Sequence, residues 1–118
     1  MRANSRQRGY DTRWEKASRT YRSKYPYCAG CKATGKDEPA TLVDHIVPHR
    51  GDQRLFWDTD NWQSSCEWHH NAIKARLERM YDNKQITITD LRLDSQRSIA
   101  LTRSTPRKTE IGLDGWPI

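Results

Sequence analysis

Apolar and aromatic residues recur at helical spacing in two stretches of the chain. The positions of the first stretch are Trp14, Ala17, Ser18, Tyr21 and Tyr25. They fall on one face and predict an amphipathic helix that docks on the rest of the domain through its aromatic side. Thr12 and Glu15 have the spacing of a capping box at its start, and Pro26 ends it.

The second helical pattern lies further along and carries two adjacent histidines. Its apolar stripe consists of Ile73, Leu77 and Met80. Ser64 and Glu67 have capping-box spacing before it, and the polar "DNK" at 82–84 breaks it. His69 and His70 lie within one turn of the apolar stripe, so both belong to this helix.

The remaining stretches predict a small α+β domain with a tail. "ATLVDHIVP" (40–48) is rich in β-branched residues and ends at proline, which predicts a strand. Residues 49–60 predict a polar loop that carries an apolar "LFW", and "QITITDLRL" (85–93) fits either a strand or a short helix. The last stretch, 103–118, predicts an extended tail packed at Trp116. The resulting division is 1–26 for a basic arm and helix, 27–82 for the core and 83–118 for a C-terminal extension.

Composition predicts that this domain needs a covalent or metal staple. Of its 118 residues only 34% are hydrophobic, and the mean hydropathy is −1.08, so the apolar core is small. Three cysteines cannot all pair within one chain, and no apolar stretch near Met1 resembles a signal peptide. Metal-bound thiolates in a reducing compartment are therefore expected, in a soluble cytoplasmic protein.

The net charge of +6 is concentrated at one end of the chain. Residues 1–24 hold eight basic groups against Asp11 and Glu15, a difference of +6, while residues 25–118 balance at thirteen against thirteen. The basic groups are Arg2, Arg6, Arg8, Arg13, Lys16, Arg19, Arg22 and Lys24. A focused basic segment favours nucleic acid as a partner. A solubilising terminus is the alternative.

Two half-sites of identical spacing predict a structural zinc site. They are Cys28-x-x-Cys31, within the Gly-containing "YCAGCKATGK", and Cys66-x-x-His69. Together they close a tetrahedral set of thiolates and imidazole with no position left for water. A redox function for the first pair would need a βαβ context that is absent from the pattern. His69 and His70 can each reach the zinc from one helix, and the repeated spacing favours His69.

Four polar residues are then unexplained by a structural zinc module, namely Asp44, His45, Asn61 and His70. Singly, each has an ordinary explanation as a cap, a satisfied histidine or a turn residue. At a strand end, however, Asp44 and His45 point to opposite sides of the chain. One can hold a metal while the other faces a water molecule, and His70 is a natural second ligand. A carboxylate with an imidazole suits Mg²⁺, Mn²⁺ or a similar ion.

Jointly, these elements resemble the signature of the HNH endonucleases, the zinc-stabilised branch of the ββα-metal fold. The order is CxxC, a strand that ends in D-H-I-x-P, an asparagine, and Cys-x-x-ligand-His at the start of a helix. "VDHIVPHRGD", "LFWDTDNWQSSCEWHHNAIKA" and the closing "GLDGWPI" look most like small phage enzymes encoded near packaging genes. The resemblance implies a small ββα-metal finger that cleaves DNA.

The resemblance also implies a role for each residue of the set. It assigns Asp44 and His70 to a catalytic divalent cation, and His45 to the general base that takes a proton from the attacking water. Asn61 would hold the strand and loop in the geometry that orients His45. The chain departs from the commonest set of four zinc cysteines, because His69 takes the fourth position.

DNA is the expected partner, with phage terminase and portal proteins as further candidates. The residues expected to contact DNA are Arg2, Arg6, Arg8, Arg13, Lys16, Arg19, Arg22, Arg50 and Lys74. A non-catalytic zinc module that binds DNA is the leading alternative, and an adaptor of a packaging complex is another. The first alternative needs the zinc ligands but has no use for Asp44, His45, Asn61 and His70 together.

Overall fold

The computed structural model describes residues 11–107 and confirms a small α+β domain. Its helices are α1 (Thr12–Lys24), α2 (Ala29–Ala33), α3 (Gln53–Trp57), α4 (Ala75–Asp82) and α5 (Gln96–Ser104), and its strands are β1 (Leu42–His45) and β2 (Trp62–Ser65). A wide π-helical turn, His69–Lys74, leads directly into α4, and short 3-10 helices cover Thr59–Asn61 and Ile88–Leu91. The predicted contacts of the N-terminal arm (Arg2, Arg6, Arg8) and of Trp116 lie outside the described residues.

The two strands form an antiparallel sheet that separates the two halves of the core. Asp44 is paired with Gln63, and His45 with Trp62. Because side chains alternate along a strand, Val43 and His45 face α1, while Asp44 faces the helix that carries His70. The expected capping role of Ser64 is wrong, since Ser64 lies in β2 and its hydroxyl donates to the carbonyl of Tyr25 at 2.6 Å.

Helix α1 docks on one face of the sheet through its aromatic side, as the sequence predicted. Its N-cap is Asp11, one residue before the predicted position, and the Asp11 side chain accepts from the Trp14 N–H at 3.1 Å. Trp14 is buried in a cluster with Val43, Phe56 and Trp62. Tyr25, at the end of the same stripe, remains 56% exposed.

The helix of residues 69–82 supplies the other half of the core. Ile73 and Leu77 are fully buried in a cluster with Ile46, Leu91 and Leu93. The helix ends at Asp82, where the sequence placed its end. Residues 85–93, which fitted a strand or a short helix, contain the 3-10 helix Ile88–Leu91.

Several local predictions are corrected by the structure. The expected polar loop 49–60 contains α3, because the Asp52 side chain caps its first turn. Trp57, Trp62 and Trp68 were expected around the zinc, yet of these three only Trp68 packs against the cysteines, and the other two pack with Trp14. Helix α5 was not predicted, although Ser95 caps it by accepting from the Ser98 N–H at 3.0 Å.

No helix among residues 11–107 has the length and apolar character needed to cross a lipid bilayer.

Candidate metal centre and active site

Cys28, Cys31, Cys66 and His69 come together as one buried cluster. Their potential ligand atoms all lie within 4.8 Å of one another. The Sγ atoms of Cys31 and Cys66 are 3.9 Å apart, and His69 Nδ1 lies 3.4 Å from Cys31 Sγ and 3.6 Å from Cys66 Sγ. A tetrahedron with zinc bonds of about 2.0–2.3 Å has edges of about 3.5–3.8 Å. The cluster therefore fits a structural zinc, with His69 as the fourth ligand.

The thiols of this cluster need a cation before all three can be ionised. The hydrogen bond to Cys66, followed by burial, raises the pKa of Cys28 far above its usual range. Burial also raises the pKa of Cys31, whereas the hydrogen bond from Cys28 lowers the pKa of Cys66 to about 3. The protein alone thus favours a single thiolate. A bound dication makes three thiolates stable together.

Helix α5 holds the imidazole of His69 in position. The hydroxyl of Thr102 donates to the Ser98 carbonyl at 2.8 Å, so its oxygen accepts from His69 Nε2–H at 3.1 Å. This contact fixes the tautomer and leaves the lone pair of Nδ1 directed at the sulfur atoms. Thr102 lies 33 residues from His69 in the sequence, which explains why spacing gave no signal for it.

Gly30, between the first two cysteines, is required by the close approach of the same imidazole. A Cβ atom at this position would lie 2.2 Å from His69 Cδ2 and 2.5 Å from Nε2. Both distances are far below van der Waals contact, so a side chain at Gly30 would displace His69 from the cluster.

We expect Thr102→Val to weaken zinc binding by about 10- to 100-fold, because the ring loses the partner that orients it. Competition with a chromophoric zinc chelator measures this change. Thr105→Val is the matched control, since Thr105 ends the same helix and bonds only to exposed Arg76 in the described structure. Equal zinc affinity for Thr102→Val and wild type would contradict the role of Thr102.

A second constellation lies at the end of β1, centred on Asp44. This carboxylate is only 3% exposed. Its Oδ1 lies 3.1 Å from His70 Nδ1, and its Oδ2 lies 3.1 Å from Lys74 Nζ and accepts from Gln63 Nε2 at 2.9 Å. Burial alone would raise the pKa of Asp44, but the hydrogen bond from His70, the charge of Lys74 and the Gln63 amide lower it below its usual value. Asp44 is thus a buried anion with one oxygen facing His70.

His45 faces the other side of the strand, as its alternation predicted. Its ring stacks on Trp14 with centroids 5.0 Å apart and planes at 21°. Nε2 lies 2.9 Å from the carbonyl of Phe56. Because a carbonyl only accepts, Nε2 carries the proton and Nδ1 carries the lone pair. Burial lowers the pKa of His45, so the ring is neutral at pH 7 and can accept a proton.

Asn61 connects the strands to the loop between them through three side-chain hydrogen bonds. Its Oδ1 accepts from the Val47 N–H at 2.9 Å, and its Nδ2 donates to the carbonyls of Val47 at 3.0 Å and Leu55 at 3.2 Å. Leu55 immediately precedes Phe56, whose carbonyl holds His45. The asparagine therefore fixes both the strand end and the carbonyl that orients the histidine.

Two basic residues expected at the DNA backbone have other contacts. Lys74 is only 1% exposed, and its ammonium donates to the carbonyl of His45 and to Glu78, both at 2.7 Å. Its charge therefore acts inside the protein, beside Asp44. Arg50 is exposed and forms an ion pair with Asp82. The basic side chains of α1, namely Arg13, Lys16, Arg19 and Arg22, are exposed or partly exposed, as expected.

The same helix serves both constellations. Adjacent residues of a helix point roughly 100° apart, so His69 turns to the cysteines while His70 turns to Asp44. The wide π turn carries both histidines together with Lys74.

Comparison with known families bears on this pair of sites. The family model described as HNH endonuclease matches residues 28–76. That range begins at the first cysteine and includes all four members of the cysteine and histidine cluster together with Asp44, His45, Asn61 and His70. No curated protein and no solved structure matches the chain. The match supports the HNH family for this segment and a nuclease-type function related to DNA.

Proposed function

We propose that this protein is a metal-dependent endonuclease that hydrolyses phosphodiester bonds in DNA, with the residues around Asp44 as its active site. The observation that carries the proposal is the arrangement at the end of β1. A buried carboxylate there faces His70, and its neighbour His45 is held with a lone pair on Nδ1. All three residues lie within the segment that matches the HNH endonuclease family.

Asp44 and His70 fit the first two ligands of a divalent cation. Their facing atoms, Oδ1 and Nδ1, are 3.1 Å apart. Two neighbouring ligands of an octahedral ion with bonds of about 2.1 Å lie about 3.0 Å apart. A carboxylate with one imidazole suits Mg²⁺, Mn²⁺ or a similar ion that keeps places for water and phosphate. When bound, such an ion would stabilise negative charge on the scissile phosphate and on the leaving oxygen.

His45 is proposed as the general base. Its Nδ1 takes a proton from the water molecule that attacks the phosphorus atom, and the Phe56 carbonyl stabilises the imidazolium that results. The stacking on Trp14 keeps the ring plane fixed while this happens. Asn61 acts through the loop that presents Phe56, so it is a positioning residue.

Cleavage of supercoiled plasmid tests this function. Wild-type protein with added Mg²⁺ or Mn²⁺ should convert the plasmid to nicked or linear DNA, and protein without added divalent cation should leave it intact. Asp44→Asn keeps the shape of the side chain and removes its charge, so it should cut poorly at low Mn²⁺ and recover partly at high Mn²⁺. A protein that binds plasmid but never cuts it would indicate the non-catalytic zinc module instead.

The N-terminal arm is proposed to supply affinity for DNA, because it carries much of the net charge and none of the proposed metal ligands. Replacing Arg2, Arg6 and Arg8 with glutamine should flatten the dependence of log K on log salt by up to about 2.7, at about 0.9 per phosphate contact. Binding to duplexes of unrelated sequence should weaken equally. Titrations at several salt concentrations measure this, and an unchanged slope would remove the arm from the DNA interface.

A role in phage DNA processing or packaging is the setting proposed for this activity. It is supported by the resemblance of "VDHIVPHRGD" and "LFWDTDNWQSSCEWHHNAIKA" to small phage enzymes encoded near packaging genes. Terminase and portal proteins in the host cytoplasm are then the proposed partners. Pull-down of purified terminase and portal proteins with the tagged chain tests the association directly.

A further inference from the structure

A groove of about 1100 Å³ lies beside β2, on the side where α1 and α2 come together. Trp62, Gln63 and Ser64 form its floor, and the C-terminal half of α1 forms one wall. The cysteine knuckle forms the opposite wall through Tyr27 and Lys32. The proposed catalytic residues do not line it, so it is a separate feature of the surface.

The groove is positively charged. Its lining includes five basic residues against Asp60 and Asp94. One basic residue, Arg92, is paired with Asp94 at 3.0 Å. The other basic residues are Arg13, Lys16, Lys24 and Lys32. The three lysines are exposed, and none forms a salt bridge within residues 11–107. The groove thus presents several free ammonium groups along its length.

Two tyrosine rings in this groove are exposed although their backbones are fixed. Tyr25 is 56% exposed and Tyr27 is 41% exposed, and among the described residues Ile88 is the other large hydrophobic side chain with such exposure. The carbonyl of Tyr25 is held by Ser64, and its ring contacts the ring of Tyr21 at 4.8 Å between centroids. The ammonium of Lys32 lies 5.7 Å from the Tyr27 ring centroid. These contacts hold the rings as flat, accessible platforms.

We propose that the groove binds a single-stranded stretch of DNA, with bases stacked on Tyr25 and Tyr27 and phosphates near Lys16, Lys24 and Lys32. Exposed aromatic rings along a basic track are the features that bind single strands without sequence preference. Bases within a duplex are already stacked on each other and cannot reach the rings. An acidic peptide would satisfy the lysines but would leave no reason for two fixed, exposed rings.

The groove and the proposed active site share strand β2. Gln63 lines the groove, and its amide donates to Asp44 Oδ2 at 2.9 Å. A strand bound in the groove would therefore lie beside the residues proposed to cut DNA. This inference deepens the proposed function and rests on DNA as the substrate, because it names the form of DNA that lies next to the cleavage site. Binding in the groove does not itself require cleavage.

Fluorescence anisotropy with the full chain tests the proposal. All proteins carry His45→Ala to prevent cleavage, and two labelled probes are compared, a 12-nucleotide single strand and a hairpin duplex with a similar number of phosphates. Tyr25→Ala with Tyr27→Ala should weaken single-strand binding by about tenfold per ring, and duplex binding should not change. The corresponding double phenylalanine variant keeps both rings and should bind like its parent. Ile88→Ala is the control for loss of an exposed apolar side chain outside the groove.

Four outcomes decide the matter. Selective loss of single-strand affinity in the alanine variant, with recovery in the phenylalanine variant, supports the groove even if the wild-type protein cuts no plasmid, in which case only the endonuclease proposal fails. Unchanged single-strand affinity in the alanine variant overturns the groove, and so does an equal loss on both probes. Binding of a poly-glutamate peptide that depends on the rings, without such binding of the oligonucleotide, overturns it in favour of a protein partner.

Discussion

Replacing Cys66 with serine is expected to abolish the folded state, not merely to weaken it. The cysteine and histidine cluster joins α2, the end of β2 and the start of the histidine helix, and α5 reaches it through Thr102. Structural zinc contributes roughly 10–16 kcal/mol in small zinc domains. That is comparable to the whole stability of about 5–15 kcal/mol of an ordinary domain. With 34% hydrophobic residues, the remaining core cannot compensate.

Circular dichroism and proton–nitrogen NMR spectra measure this loss directly. Cys66→Ser should give the narrow amide dispersion of an unfolded chain, and a strong zinc chelator should do the same to wild type. Exchange into buffer without Mg²⁺ or Mn²⁺ should leave the spectrum of the wild-type protein unchanged and is the control for the weaker metal. The zinc account would be contradicted by metal analysis that finds no zinc in protein purified without chelators.

The second large effect is expected at His45. Its substitution by alanine removes the proposed base but leaves Asp44 and His70, which face each other from the opposite side of the strand. The rate of cleavage should fall by roughly 10²- to 10⁴-fold, as is usual when a general base is lost. Added Mn²⁺ should not restore it, because no concentration of ion replaces a positioned proton acceptor. Asn61→Ala should fall less, since it loosens the loop that carries Phe56 but keeps every reacting group.

His70→Ala should behave in the opposite way. It removes one proposed ligand and leaves the base in place, so Mn²⁺ affinity should fall and high Mn²⁺ should restore part of the activity. Opposite responses of these two histidine variants to added metal would separate a base from a ligand more clearly than either rate alone.

The sequence predicted the parts of the site that depend on local spacing. Cys28-x-x-Cys31 and Cys66-x-x-His69 each fit one turn of chain, so their ligand spacing is visible without knowledge of the fold. The opposite directions of Asp44 and His45 follow from strand alternation alone. In both cases the geometry is set by neighbours in the chain.

Other parts of the site depend on contacts between distant residues and left no pattern. Lys74 resembles an ordinary surface lysine on a helix, yet it is buried because Asp44 and Glu78 neutralise its charge there. The polar "NWQSS" gave no strand signal, because the polar side chains of β2 are buried by hydrogen bonds to other elements, such as that of Gln63 to Asp44. Thr102 became visible as a partner of His69 only once α5 was placed against the cluster.

The most direct test of the endonuclease account is plasmid cleavage by wild type and His45→Ala at saturating Mn²⁺, with calorimetry of Mn²⁺ binding to both proteins. The account predicts equal Mn²⁺ affinity and a rate for His45→Ala that is lower by about 10²- to 10⁴-fold. Cleavage by His45→Ala at the wild-type rate would contradict the assigned base. Loss of Mn²⁺ binding by His45→Ala, with retention by Asp44→Asn, would show that the roles of the two residues are reversed.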